Sequence, residues 1–237
     1  MAATWLVIPT YDEAMTVEAI VAAALEQLPS ERRVLIVDDA SPDGTGEIAD
    51  RIASANDDVE VMHRPSKEGL GPAYVIGFER ALAGGAELVC QMDADFSHDP
   101  ADLPRLLDAI RDADLALGSR YVEGGGVTDW GPLRRLISAG GSAYARVLLG
   151  VGIRDLTGGF KVFRREVLEA IELETIPSLG YAFQVETTYR AIEAGFRVVE
   201  VPIVFRDRRV GESKMSGRIV AEAALRVPAM RLGRRRG

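Results

Sequence analysis

Asp93, Asp95 and Asp99 crowd into QMDADFSHDP (residues 91–100), directly after the apolar run ELVC. Carboxylates this close repel one another unless a cation or a proton intervenes. A strand ending in Asp-x-Asp sends alternate side chains to one side. Hard oxygens so arranged suit Mg²⁺ or Mn²⁺, and Mg²⁺ is usually held by one or two carboxylates together with substrate phosphates. The plainer reading is a solvated turn, with Asp99 or Ser97 capping a helix and Pro100 in its first turn. Two further acidic clusters favour the cation: Thr10-Tyr11-Asp12-Glu13 after WLVIP, and Asp38-Asp39 after VLIV. His98 is a candidate ligand too, although a lone histidine more often serves as a hydrogen-bonding residue. His63 has no companions.

Positioning these groups requires strand ends, and the chain supplies them at regular intervals. Short apolar runs at 5–9, 34–37, 59–63, 87–92 and 115–118 read as strands. Between them Val17, Ile20, Val21, Ala24 and Leu28, then Ile48 and Ile52, then Val75, Phe78 and Leu82, then Leu103, Leu106 and Ile110 recur at helical spacing. Thr16 is placed to cap the first helix, and Gly84-Gly85 to end the third. Alternating strands and helices predict an α/β fold, a mainly parallel sheet covered on both faces. All three acidic clusters then fall at the carboxyl edge of the sheet, where open α/β sheets bind ligands.

The second half is less regular. YVEGGGVTDWG (121–131) is glycine-rich and reads as a mobile loop. Leu133, Leu136, Ile137, Tyr144, Val147 and Leu148 suggest a helix. DLTGGFKVFRREVL (155–168) reads as turn, strand and helix start, and a helix opens at Phe183. RVVEVPIVF (197–205) is a strand interrupted at Pro202, and Met215–Leu232 carries a last helical stripe. Nothing resembles a linker, so a single domain is expected.

Composition narrows the classes. Of 237 residues 47% are hydrophobic and 27% charged, an ordinary globular balance. No apolar run approaches the roughly 18 residues of a membrane span, and no signal peptide is evident. The single cysteine, Cys90, reads as a buried thiol, which fits a cytosolic setting. The net charge of −8 hides an asymmetry, because ten basic residues face three acidic ones between Arg206 and Gly237. A basic tail on an acidic body suggests an anionic partner. Nucleic acid is disfavoured, since no aromatic residues interleave with the arginines. GLGPAYVIG (69–77) lacks the third glycine of the dinucleotide fingerprint, and no Walker A, Gly-x-Ser-x-Gly or Cys-x-x-Cys pattern occurs.

Taken in order, VIPTYDE, IVDDASPDGT, EGLGPAYVIGF, QMDADFSHDP, LGSRYVEGG and GESKM resemble the inverting family 2 glycosyltransferases of GT-A fold, specifically the polyprenyl-phosphate (dolichyl-phosphate) mannose synthases. The resemblance runs from residue 7 to 215. It implies a nucleotide-binding half (1–120), an acceptor half with a basic flap (121–214) and a basic C-terminal helix or tail (215–237). It implies transfer of mannose from GDP-mannose to a polyprenyl phosphate. Pro9, Tyr11, Glu13, Val37 and Asp39 would line the nucleotide pocket. Asp93, Ala94 and Asp95 would form the metal and diphosphate site, with Mg²⁺ or Mn²⁺ as cofactor. Ser97 stands where the family often has Gln, and its shorter side chain would reach the metal through water. Arg120 and Arg134 would contact phosphates or sugar, and Arg208 and Lys214 would close the flap. Many members carry C-terminal membrane helices. Here the tail instead suggests peripheral attachment to the cytoplasmic face of a membrane, directly or through a membrane-protein anchor. The alternatives are a UDP-glucose or UDP-N-acetylglucosamine donor, and a non-catalytic nucleotide-sugar binding module.

Overall fold

The computed structural model of the chain describes residues 3–177, 180–207 and 226–231. Three strand–helix units open the fold: β1 (Thr4–Thr10) and α1 (Val17–Gln27), β2 (Arg32–Asp38) and α2 (Thr45–Ala55), β3 (Val59–His63) and α3 (Leu70–Ala83). Then come β4 (Leu88–Gln91), α4 (Leu103–Ala109), β5 (Leu115–Ser119), β6 (Gly126–Val127) and α5 (Pro132–Leu149). β7 (Lys161–Arg164), α6 (Arg165–Ala170), α7 (Gly180–Glu193), β8 (Val198–Pro202) and β9 (Val204–Phe205) follow.

Seven strands form one sheet in the order β3-β2-β1-β4-β7-β5-β8, and β6 pairs with β9 in a separate ribbon. Side chains alternate across β1. Leu6 and Ile8 join a cluster with Ile20, Val34, Ile36, Met92 and Leu106, while Trp5 and Val7 join Leu35, Val37, Phe78, Phe163 and Phe183 on the other face. The sheet is thus covered on both sides, as a mainly parallel sheet requires. Cys90 is a free buried thiol in the first cluster, and burial pushes its pKa up to about 12.

Register aligns the functional ends. Thr10 lies opposite Asp38, Asp38 opposite His63, and Ser119 opposite Pro202, all in parallel pairs. β7 is the exception: it runs antiparallel between β4 and β5, with Lys161 opposite both Gln91 and Leu117. Its amino end therefore reaches the same edge, and the turn 155–160 arrives beside Asp93.

Two expectations change. The glycine-rich stretch 121–131 is ordered by the β6–β9 pairing, and its Trp130 is buried against Phe205. Thr16 does precede α1, but its hydroxyl donates to Glu13 Oε2 (2.9 Å) instead of capping the helix. Asp99 caps as the plainer reading of that turn supposed, its Oδ1 accepting from Ala101 N with Pro100 next in the turn.

α5 begins at Pro132 and stops at Gly150, whose φ of 71° gives the left-handed turn that ends helices. Its inner face packs Ala145 and Leu149 against Leu156, Val185 and Tyr189, and residues 226–231 add Val227 to that cluster.

Candidate active site

Three of the loops that leave the carboxyl edge are those after β1, β2 and β4. Each contains a non-glycine residue at positive φ: Asp12 at 57°, Ala40 at 55° and Phe96 at 59°. This conformation is sparsely populated for L-residues and concentrates at functional sites.

Two neighbouring acids behave differently at the end of β2. Asp38 closes the loop, accepting from Thr10 Oγ1 (3.1 Å), Ser41 Oγ (2.6 Å) and Ser41 N (3.2 Å). Asp39 is buried and ion-paired to Arg64, which also reaches Glu68 at 2.7 Å. Burial raises the Asp39 pKa, and the Arg64 guanidinium opposes that shift. Tyr11 carries the Lys67 ammonium 3.4 Å above its ring centre. Pro9 is half-buried at the end of β1. Glu13 is tied locally: its N donates to Thr45 Oγ1 (2.9 Å) and its carboxylate holds Thr16. Val37 was expected to line the nucleotide pocket, but its side chain is wholly buried in the core.

The end of β4 holds the carboxylate pair. Asp93 Oδ1 accepts from the Tyr74 hydroxyl (2.9 Å), and Asp93 N donates to His98 Nδ1 (3.3 Å). Burial, and then the charge on Asp93, hold the Tyr74 pKa well above the usual phenol value, so this hydroxyl is a permanent donor. Asp95 Oδ1 accepts from Ser97 N (3.0 Å), and Ala94 is buried between the two acids. The Ser97 hydroxyl is buried with no hydrogen-bond partner among the described residues. Two hard carboxylates and an unmet hydroxyl oxygen fit a hard divalent cation. Among the described residues, no group of three or more His, Cys, Asp or Glu is placed to hold a metal alone. An ion here would complete its shell with substrate phosphate and water. His98 stacks on Phe160 (5.1 Å) against the edge of Phe205 (5.4 Å), and burial lowers its pKa. With Nδ1 accepting, it is a neutral buttress of the Asp93 turn.

On the far side of the site, Arg120 is engaged by the protein itself. Its Nε and Nη2 fork onto Asp155 at 2.8 and 2.7 Å, and Nη2 also reaches Thr157 Oγ1 at 2.8 Å. Both partners are buried, so this arginine is held by protein before any phosphate arrives. Glu200 locks the arrangement, accepting from Asp155 N (2.9 Å), Arg154 N (2.8 Å) and Ser119 Oγ (2.7 Å). Arg134 pairs with Asp207 at 2.8 Å and lies 4.4 Å above the Trp130 ring. Arg208 and Lys214, expected in the flap, lie outside the described residues, as does most of the basic tail.

Sequence reading missed Arg64, Tyr74, Asp155, Thr157, Lys161, Gln184 and Glu200. DLTGGFK offered a signal, with Asp155 and Lys161 flanking a Gly-Gly pair, but it read as a turn and strand. Lys161 is fully buried, donating to Gln184 O (2.8 Å) and Thr187 Oγ1 (3.0 Å), and burial pushes its pKa down to about 7.

A family model described as glycosyl transferase family 2 matches residues 5–172. The chain belongs to glycosyltransferase family 2. Over 93% of this transferase, an undecaprenyl-phosphate mannosyltransferase of Micrococcus luteus is 48% identical, with 90% of that protein covered. Over 99% of it, a polyprenol monophosphomannose synthase of Mycolicibacterium smegmatis is 51% identical, again with 90% covered. Among solved structures, a mannosyltransferase of Pyrobaculum calidifontis in complex with GDP-Man and Mn²⁺ superposes with a TM-score of 0.62 at 18% identity. That match covers 90% of this chain and 58% of the other, and it bears on the fold alone. The transferase has the GT-A fold expected from its sequence, with the inserted antiparallel β7 as its asymmetry.

Proposed function

We propose that this family 2 glycosyltransferase moves mannose from GDP-mannose to a polyprenyl monophosphate, inverting the anomeric centre and releasing GDP. The two relatives of about half identity are named for mannosyl transfer or for polyprenol phosphomannose synthesis, which supports both substrates. The observation that carries a lipid acceptor is the outer face of α5. Leu133, Leu136 and Val147 are 68–72% exposed, and Ile137 and Tyr144 lie on the same side. The helix holds Arg134, Arg135 and Arg146 and no acidic residue, within a chain of net charge −8. An apolar face flanked by arginines suits an anionic bilayer surface. The inner face of the same helix enters the site, where Ser142 Oγ stands 3.1 Å from Thr157 Oγ1. A lipid lying along α5 would thus bring its phosphate toward Arg120 and Arg134. Among the described residues no helix is long and apolar enough to cross a membrane, and attachment at the cytoplasmic face, with or without a protein anchor, belongs to this proposal.

The chemistry follows from charge. Asp39 would accept from base or ribose, steadied by Arg64. Asp93 and Asp95, with Ser97 directly or through water, would hold Mg²⁺ or Mn²⁺. When bound, the ion neutralises diphosphate charge that builds as GDP leaves. A phosphate monoester has its second pKa near ~6, so the acceptor is already ionised at neutral pH. Its oxygen bonds to the anomeric carbon, while the bond to GDP breaks and its electron pair leaves with the diphosphate. No strong general base is needed. His98, neutral and accepting from Asp93 N, serves structure instead. Arg134, Arg208 and Lys214 supply positive charge around the two phosphate groups.

The test is product formation from radiolabelled GDP-mannose and UDP-sugars with a short polyprenyl phosphate, with Mg²⁺, Mn²⁺ or EDTA. An organic-extractable mannolipid made from GDP-mannose alone, dependent on metal and lost in Asp95→Ala, is the expected result. Transfer from a UDP-sugar, or none from any donor, would refute the proposal.

A further inference from the structure

Because β7 enters the site edge first, Gly158 and Gly159 stand beside the carboxyl end of β4. Behind them α7 presents Gln184, only 2% exposed. Its Oε1 accepts from Gln91 Nε2 at 2.7 Å. Its Nε2 is buried and has no partner among the described residues. A buried donor left unmet is unfavourable, so this one marks a ligand position. A Cβ built on Gly159 shows what lies around the nitrogen. It would lie 3.6 Å from Gln184 Nε2, 3.8 Å from Asp93 Oδ2 and 3.4 Å from His98 Cε1. These groups ring a space that glycine leaves open. The Lys161 amine, bonded to Gln184 O and Thr187 Oγ1, fixes the first turns of α7 behind it.

We infer that the Gln184 carboxamide binds the donor sugar, its Nε2 donating to one hydroxyl of the hexose in the space above Gly159. This rests on the transfer reaction proposed above and adds a residue that selects the sugar. A hydroxyl is the better match than a phosphate oxygen. The donor is a neutral amide, whereas phosphate oxygens would be met by the cation at Asp93 and Asp95 and by arginine and lysine. A buried site built to hydrogen-bond a hydroxyl strongly rejects an analogue that lacks it.

Gln184→Glu keeps an oxygen for Gln91 but removes the donor. Gly159→Ala fits sterically, since its Cβ meets only ordinary van der Waals contacts, yet it fills the sugar space. Both variants would be measured for kcat, KM and melting temperature, using the nucleotide sugar and analogues each lacking one hydroxyl. Gly159→Ala should melt within about 2 °C of wild type. In both variants kcat/KM should fall by about tenfold or more. One deoxy analogue should cost wild type about tenfold yet cost Gln184→Glu almost nothing, because the shared contact is already gone. Wild-type turnover in both variants, or equal losses in wild type and Gln184→Glu for every analogue, would overturn the inference. The same series read as calorimetric binding needs no acceptor. Coupling there without any mannolipid product would sink the transfer proposal and keep Gln184 on the sugar.

Discussion

Removing Asp155 tests whether the centre of the site is built before substrate arrives. Its carboxylate is fully buried and accepts the Arg120 backbone N at 2.9 Å as well as the guanidinium fork. Asp155→Ala strands a guanidinium that is itself nearly buried, since only 5% of the Arg120 side chain is exposed. Breaking one side of such a pair costs about 3–5 kcal/mol, because an uncompensated charge stays in low dielectric. For a chain of this size that lowers the melting temperature by about 10 °C. Contacts of the guanidinium with the rings of Tyr121, Trp130 and Phe205, at 5.3 to 5.7 Å, offset only part of the loss. The double variant Arg120→Leu/Asp155→Ala removes both charges and should recover about half of that deficit or more. Activity separates from stability. The double variant should stay folded and lose turnover, since Arg120 also shapes the acceptor side. Urea unfolding of wild type, both single variants and the double variant closes the cycle. A melting shift under about 3 °C for Asp155→Ala, or strictly additive losses in the cycle, would mean that the pair does not hold Arg120 in place.

Three further outcomes follow. Asp95→Asn is nearly isosteric and removes one anionic oxygen, so turnover should fall by about 10²-fold or more with little change in melting temperature; a rate within a few-fold of wild type would remove Asp95 from the reaction. Lys161 has a folded pKa of about 7, below its ordinary value near ~10.4, so between these limits the unfolded chain holds a proton that the folded chain lacks. Wild-type stability relative to Lys161→Met should then rise with pH across that window, by up to about 1.4 kcal/mol per unit, and level off below it; parallel urea midpoints from about pH 7 to about pH 9 would contradict the buried neutral amine. Arg64→Met removes the cation opposing the burial shift on Asp39, so binding of GDP should weaken at a higher pH than in wild type; identical calorimetric pH profiles would place Asp39 away from the nucleotide.

The alternating strands and helices, and the acids at the ends of β1, β2 and β4, were legible because each is a local pattern. Leu6 and Ile8 against Trp5 and Val7 announce a sheet covered on both faces, and Asp93 after ELVC announces a strand end. What stayed hidden was of another kind. Nothing in DLTGGFK says that its strand runs backwards between β4 and β5, since a four-residue strand carries no direction in its apolar pattern. That reversal brings Asp155 to Arg120, Gly159 to Asp93 and Lys161 to Gln184, pairs separated by 23 to 66 positions in the chain. The resemblance implies a phosphate or sugar contact for Arg120, and the fork geometry that suits a phosphate suits a carboxylate equally well. Type alone therefore cannot divide arginines that bind substrate from those that hold the site open. The division lies in partners: Asp155 is buried and answers three donors of Arg120, whereas Arg134 meets Asp207 at a half-exposed position from which a phosphate can displace it. Of Arg120 and Arg134, we propose that Arg134 is the one that changes partners during a catalytic cycle. Arg134→Lys should accordingly raise KM for the lipid phosphate while leaving the melting temperature near wild type, and an unchanged KM would return Arg134 to a purely structural role.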